Sequence, residues 1–213
     1  AVAASDVIVL AVKPQQLREV VATLKPLVKQ QLVLSIAAGI RAADLSRWLG
    51  GHSAIVRTMP NTPALVGKGI TGAVAMGGVS EVQRQMADAI LRAVGDTVWL
   101  DDEGKIDAVT ALSGSGPAYV FYFIEAMMQA AQDMGLSAEQ GRVLAQATFA
   151  GATALAQQSD VSPAVLRERV TSKGGTTYAA LTHLESASVK DAFVAAMRAA
   201  QQRAAELGDE FGR

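Results

Sequence analysis

Val7-Ile8-Val9-Leu10-Ala11-Val12-Lys13-Pro14 is six apolar residues in a row, closed by a lysine and a proline. A continuous apolar run of this length reads as a strand of a parallel sheet, buried on both faces. Pro14 suits the first turn of a following helix, where its missing N–H is no loss and its φ is preset. Leu17, Val20, Val21, Leu24 and Leu27 then recur at helical spacing, before Leu32-Val33-Leu34-Ser35-Ile36 resumes as a strand. The rhythm repeats: Ala37-Ala38-Gly39 turns the chain, a short helix follows over residues 44–49, and Ala54-Ile55-Val56-Arg57-Thr58 returns as a strand. Strands alternating with helices in this way predict a parallel sheet with right-handed crossovers. Residues 69–76 read as a further strand, Ser80 with Gln83 as the capping box of a helix reaching Val94, and Thr97-Val98-Trp99-Leu100 as the strand that closes this half.

After Asp101-Asp102-Glu103-Gly104-Lys105 the strand-like runs vanish. Ala118-Tyr119-Val120-Phe121-Tyr122-Phe123-Ile124-Glu125-Ala126-Met127-Met128 is apolar nearly all round, which predicts a helix buried within a bundle or between subunits. Gly135 stops it, Ser137 with Gln140 caps the next helix, and Ser162-Pro163 supplies the N-cap and first-turn proline of a third. A fourth helix follows a glycine-rich stretch, and Ser188 with Asp191 starts a last one reaching Leu207. The expected organisation is an α/β parallel-sheet domain over residues 1–101 and an all-helical domain over 102–213. So much apolar surface per helix points to dimerisation.

Half of the 213 residues are hydrophobic and 18% are charged, which excludes a disordered chain. A net charge of -1 gives no electrostatic footprint for nucleic acid, and no apolar run approaches the length of a membrane span. With no cysteine, the chain holds no disulfide, thiol nucleophile or iron–sulfur cluster, in keeping with a cytoplasmic location. It opens on Ala1-Val2-Ala3-Ala4-Ser5-Asp6, with neither an initiator Met nor a charged leader, and enters a strand at residue 7. A segment ahead of Ala1 is therefore expected.

Chemistry concentrates in two places. Val170-Thr171-Ser172-Lys173-Gly174-Gly175-Thr176-Thr177 puts small and hydroxyl-bearing residues where a helix is about to start, so that unpaired helix N–H groups and side-chain hydroxyls can hold a carboxylate or phosphate. The predicted strand ends carry Ala11-Val12-Lys13-Pro14, Ala37-Ala38-Gly39 and Met59-Pro60-Asn61-Thr62-Pro63, small or proline-rich segments across which a flat cofactor can lie, with Lys13 offering a charge and Asn61 an amide. Together they point to a two-domain cleft enzyme. The acidic run from Asp101 to Glu103 lacks histidine partners and reads as a solvated loop rather than a metal site; Glu125 reads as a helix-rim carboxylate.

Five segments in order carry a family resemblance: Ala11-Val12-Lys13-Pro14; Ser35-Ile36-Ala37-Ala38-Gly39; Arg57-Thr58-Met59-Pro60-Asn61-Thr62-Pro63; Ala111-Leu112-Ser113-Gly114-Ser115-Gly116-Pro117-Ala118-Tyr119; and Thr171 to Thr177. Across essentially its whole length the chain resembles pyrroline-5-carboxylate reductase. The resemblance implies an α/β Rossmann-type parallel sheet, N-terminally truncated here, followed by an all-α dimerisation domain that interlocks with its twin. It implies reduction of 1-pyrroline-5-carboxylate to L-proline with NADPH or NADH, with cofactor contacts at Ala11, Val12, Lys13, Pro14, Ala37, Ala38, Met59 and Asn61. Val170, Ser172, Gly174, Gly175, Thr176 and Thr177 would bind the substrate, and the Thr177 hydroxyl would hydrogen-bond the ring nitrogen. The family opens with a strand and a glycine-rich dinucleotide fingerprint, neither of which occurs from Ala1 on, and many relatives carry proline where Lys173 stands. A dehydrogenase of the 3-hydroxy acid type shares the architecture but relies on a lysine in the first long helix of its helical domain, and residues 119–134 contain none. A non-catalytic helical dimer is the other alternative; intact strand ends argue against it.

Overall fold

A computed structural model describes residues 2–212. The elements are β1 (Val7–Leu10), α1 (Pro14–Leu24), β2 (Leu32–Ser35), α2 (Ala42–Trp48), β3 (Ile55–Met59), β4 (Gly69–Ala75), α3 (Glu81–Arg92), β5 (Gly95–Trp99), α4 (Lys105–Val109), α5 (Gly116–Asp133), α6 (Ala138–Gln157), α7 (Pro163–Arg169), α8 (Thr176–Ser186) and α9 (Val189–Phe211). A 3-10 turn (Thr62–Val66) joins β3 to β4, and a π-turn (Thr110–Gly114) joins α4 to α5.

The sheet runs β1-β2-β3-β4-β5. The pairs β1/β2, β2/β3 and β4/β5 are parallel, while β3/β4 is antiparallel, so the expectation of a parallel sheet holds for three pairings and is corrected for one. The reason is the connection: only residues 60–68 separate β3 from β4, too few for the crossover that a parallel neighbour needs.

Alternating side chains send the sheet's apolar residues to two cores. Ile8, Leu10, Val33 and Ile55 meet Leu17 and Val21 of α1 and Leu45 of α2 on one face; Leu32, Leu34, Val56 and Ala73 meet Ala87 and Leu91 of α3 on the other. Leu17, Val21, Leu32 and Ile55 are wholly buried, and each such side chain stabilises the fold by roughly 1.5–3 kcal/mol. β2 is buried throughout, as a central parallel strand should be. β1 is not: Val9 is 47% exposed, which corrects the expectation of burial on both faces. The capping boxes Ser80/Gln83 and Ser137/Gln140 both form, and Ser162 accepts from the Val165 N–H ahead of α7.

The chain packs as two compact units. One comprises the residues up to Pro117 and from Met197 on; the other spans Ala118–Ala196. The division expected at 101/102 follows the end of the strands, whereas packing keeps α4, with Ile106 buried, and the last turns of α9 in the unit that holds the sheet.

In the helical unit Gly141 lets α6 approach Ala131 of α5 closely, since a Cβ there would stand 2.9 Å from that of Ala131. Phe193 meets Tyr119 and Phe123 edge-on, each at 5.5 Å between ring centres. Yet Phe121 and Tyr122 are 58% and 68% exposed, so α5 is not buried within its own chain. Of its two expected settings, burial within a bundle of its own chain is not what the described residues show. Among the described residues, no helix is long and apolar enough to cross a membrane.

Candidate active site

The carboxyl ends of β1, β2 and β3 lie side by side, because the parallel register sets Leu10 beside Ser35 and Ser35 beside Arg57. The Ile36 N–H donates to Leu10 O (3.2 Å), and the buried Thr58 hydroxyl donates to Ser35 O (2.9 Å). The residues expected to meet a dinucleotide follow at once along this edge. Lys13 is exposed in extended backbone just before Pro14 opens α1. The Ala37 N–H reaches the Ser35 hydroxyl (3.4 Å), Ala38 is half-buried, and Gly39 turns the chain at φ +72°, a left-handed angle that favours glycine. Ala11, Val12, Lys13, Pro14, Ala37, Ala38, Met59 and Asn61 are thus gathered at one end of three neighbouring strands.

Asn61 departs from its expected role. Its Nδ2 donates to Ser113 O (3.1 Å) and its Oδ1 accepts from the Ile70 N–H (3.0 Å). The amide read as a ligand donor instead staples the loop after β3 to the start of β4 and to the π-turn. That turn is a feature the sequence reading missed. The Ser115 N–H reaches back five residues to Thr110 O (2.8 Å), and Gly114 leaves room for the Met59 side chain, whose Cε would stand 2.5 Å from a Cβ at that position. Such π-turns recur at functional sites. Its signal was Ser113-Gly114-Ser115-Gly116-Pro117, two glycines and a proline inside an otherwise helical run.

The glycine-rich loop lies in the helical unit. Val170 is the C-cap of α7, and Thr171 is bonded back to that helix through its N–H to Glu168 O (2.9 Å) and its hydroxyl to Arg167 O (2.6 Å). These two residues therefore close α7. Gly174 adopts φ +76°, and Gly175 is the N-cap of α8, with no side-chain cap. The first intrahelical bond runs from Ala179 N to Gly175 O (3.1 Å), so the N–H groups of Thr176, Thr177 and Tyr178 have no acceptor within the helix. The Gly175 N–H is engaged with Ser172 O (3.0 Å), so this residue contributes room rather than a free donor: Ser172 Oγ would stand 2.6 Å from a Cβ placed there. Thr177 is half-buried in the first turn. A groove of about 540 Å³ beside this loop is lined by Arg167, Thr171, Lys173, Tyr178, Thr182 and Glu185, among others; it does not include Gly174, Gly175 or Thr177.

The acidic run divides in function. Asp101 pairs with Lys105 and Asp102 accepts from the Gly104 N–H (2.9 Å), as a solvated loop would. Glu103 does not fit that reading. One of its oxygens accepts from Arg57 Nη1 (2.8 Å) and from the Ala42 N–H at the first turn of α2 (2.7 Å). Arg57 is 4% exposed, with Asp107 a further 3.9 Å away, so Glu103 neutralises a buried cation and caps a helix at once.

Comparison with known proteins adds the deciding observation. A reductase of Pseudomonas aeruginosa named pyrroline-5-carboxylate reductase is 48% identical over 214 residues, covering 100% of this chain and 78% of that protein. The chain belongs to the pyrroline-5-carboxylate reductase family. Residues 103–207 match the family model described as pyrroline-5-carboxylate reductase dimerisation, and residues 1–39 match that of NADP oxidoreductase, coenzyme F420-dependent. Among solved structures, the pyrroline-5-carboxylate reductase of Coxiella burnetii superposes with a TM-score of 0.90 at 42% identity, over 96% of this chain and 76% of that one. The Plasmodium falciparum pyrroline carboxylate reductase, solved with NADP bound, gives 0.91 at 33% identity, over 97% and 79%. Membership in this reductase family accounts for the exposed α5: the aromatic residues that its own chain leaves open lie in a region whose match is to dimerisation.

Proposed function

We propose that this chain reduces 1-pyrroline-5-carboxylate to L-proline with NADPH or NADH, the last step of proline synthesis. The observation that carries the reading is the start of α8: uncapped N–H groups, a left-handed Gly174 and the Thr177 hydroxyl within one turn. A five-membered cyclic imine with one carboxylate needs an anion cradle and a polar group for its nitrogen. This helix start supplies both.

The strand ends fit a nicotinamide dinucleotide. Small side chains at Ala37 and Ala38 leave the backbone approachable, Lys13 brings positive charge for phosphate, and the crevice at the carboxyl ends of parallel strands is where such groups lie. Ala11, Val12, Lys13, Pro14, Ala37, Ala38 and Met59 would hold the dinucleotide; Asn61 belongs to the site as the staple beneath it. When bound, the dinucleotide supplies a hydride to the imine carbon.

The chain's own groups do the rest. The N–H groups of Thr176 and Thr177, with the Ser172 hydroxyl, hold the substrate carboxylate at the positive end of α8. Gly174 and Gly175 keep side chains out of its way. The Thr177 oxygen accepts from the protonated ring nitrogen and keeps that proton in place while the C=N bond becomes a C–N single bond. A protonated imine is already electrophilic, so positioning and electrostatics suffice.

The self-associated form is a dimer in this reading, seated through the groove of about 420 Å³ that includes Tyr119, Tyr122, Phe123 and Phe193. A cytoplasmic setting belongs to the same reading, since the reaction draws on the soluble nicotinamide pool. Absorbance at the reduced-nicotinamide band, followed on adding 1-pyrroline-5-carboxylate to the protein as its gene encodes it, tests the proposal. Steady oxidation is expected; none in a folded, self-associated sample refutes it.

A further inference from the structure

We propose that the last two turns of α9 are the positioning element for the turn at residues 37–40, with Phe211 as the decisive side chain, and so set the affinity for the nicotinamide dinucleotide. This rests on the reading above that the turn takes the dinucleotide. The turn has no regular secondary structure of its own, and its shape must come from what packs beneath it.

An apolar seat and a polar clasp supply that shape. A Cβ on Gly39 would stand 3.0 Å from Phe211 Cδ2 and 3.2 Å from Leu207 Cβ, so the turn lies flat on the end of α9. Phe211 also packs against the core that contains Ala37, Ile40, Ala42 and Leu45. Around this apolar contact is a polar clasp. Arg41 reaches Asp209 Oδ1 at 2.6 Å, and its guanidinium covers Gly208, where a Cβ would stand 3.1 Å away. Arg47 donates to the Gly212 carbonyl.

The clasp is half-exposed, Arg41 at 41% and Asp209 at 63%, and ion pairs so open to water contribute little. The apolar seat is therefore the part that matters. From the other side Glu103, in the loop ahead of α4, holds the Ala42 N–H, so the turn is fixed at its exit by that loop and from below by α9. Removing the Phe211 ring leaves the exit tied and the turn itself unsupported. A binding turn that holds its competent shape only part of the time binds its ligand more weakly in proportion to that fraction.

The test is NADPH titration by fluorescence, with the protein as its gene encodes it. Phe211→Ala is expected to raise the Kd about tenfold, equivalent to the competent turn being populated roughly a tenth of the time. Phe211→Leu keeps apolar volume on Gly39 and is expected to restore most of the affinity. At saturating NADPH the KM for 1-pyrroline-5-carboxylate should not move. Ala38→Glu places a like charge in the turn itself and serves as the direct probe of dinucleotide binding there.

If Ala38→Glu weakens NADPH binding while a folded Phe211→Ala binds as the parent does, the brace is overturned and the reading of the turn survives. If neither variant changes the Kd, the assignment of the turn to the dinucleotide is what fails, and the brace falls with it. Should Phe211→Ala show no cooperative melt, Phe211→Val is titrated instead. It removes the ring beneath Gly39 while keeping a smaller apolar side chain and the clasp over Gly208; a rise in Kd of several-fold supports the brace and an unchanged value overturns it.

Discussion

Replacing Glu103 with alanine should be among the most destabilising single changes outside the apolar core. Its carboxylate lies 2.8 Å from Arg57 Nη1 and 2.7 Å from the Ala42 N–H, and Arg57 is 4% exposed. Breaking a buried pair by removing one partner costs about 3–5 kcal/mol. Glu103 is 31% exposed and Asp107 stands 3.9 Å from the same guanidinium, so the lower part of that range, reduced to about 2 kcal/mol, is the better figure. Loss of the helix cap on Ala42 adds about 1 kcal/mol. A total near 3 kcal/mol corresponds to a fall in Tm of about 6–12 °C for a chain of this size. Circular-dichroism melts at one fixed protein concentration read it directly. Glu103→Gln keeps an acceptor for the Ala42 N–H and should recover about a third of the loss. A Glu103→Ala variant melting within about 2 °C of the parent would refute the account of Arg57 as a buried cation dependent on this carboxylate.

Thr177→Ala should lower turnover roughly tenfold to a hundredfold and leave the NADPH Kd unchanged, as steady-state kinetics and fluorescence titration would show; an unaltered kcat removes Thr177 from the reaction. Tyr122→Arg puts a charge on a residue 68% exposed in the single chain, and sedimentation velocity should find association weakened on the order of a hundredfold, the result of burying an unpaired cation. An undiminished oligomer would place the self-contact on another face. The Trp99 indole N–H, and after it Arg92, hold the Asp88 carboxyl below the usual carboxylate range. A depressed folded pKa gives stability that is present above the unfolded value and lost as pH falls through the folded one. Denaturant titrations of Asp88→Asn against the parent should therefore differ at neutral pH and begin to converge only as pH falls below the unfolded carboxylate value of about 4, closing below the lower folded one; a gap that does not shrink as pH falls through this window contradicts the assignment.

Local rules made much of this molecule legible. Ser80 with Gln83 and Ser137 with Gln140 announced two helices, because a capping box is satisfied within four residues and needs no knowledge of the fold. Pro14, the buried β2 run and the glycine loop before α8 were readable for the same reason. Strand direction between β3 and β4 was not, since hydrophobic periodicity carries no direction; the nine-residue connection did carry it. The internal bonding of Asn61 and the double duty of Glu103 depend on partners far along the chain, Ser113 in one case and Arg57 in the other. The seat of Gly39 on Phe211 is the extreme instance, with nothing in either neighbourhood of sequence to announce the other.

That seat also orders events in time. Residue 39 leaves the ribosome about 170 residues before residue 211, roughly 10–30 s earlier at ordinary rates of synthesis. The two cores of the sheet can assemble meanwhile from residues that have already emerged, but the turn at residues 37–40 has nothing to rest on until α9 is complete. During that interval the nascent chain carries strands whose apolar partners have all emerged, while the turn between β2 and α2 is still unset. Translation itself thus delays the shaping of that turn until Phe211 arrives, and a nascent chain interrupted before it would leave Gly39 without its seat.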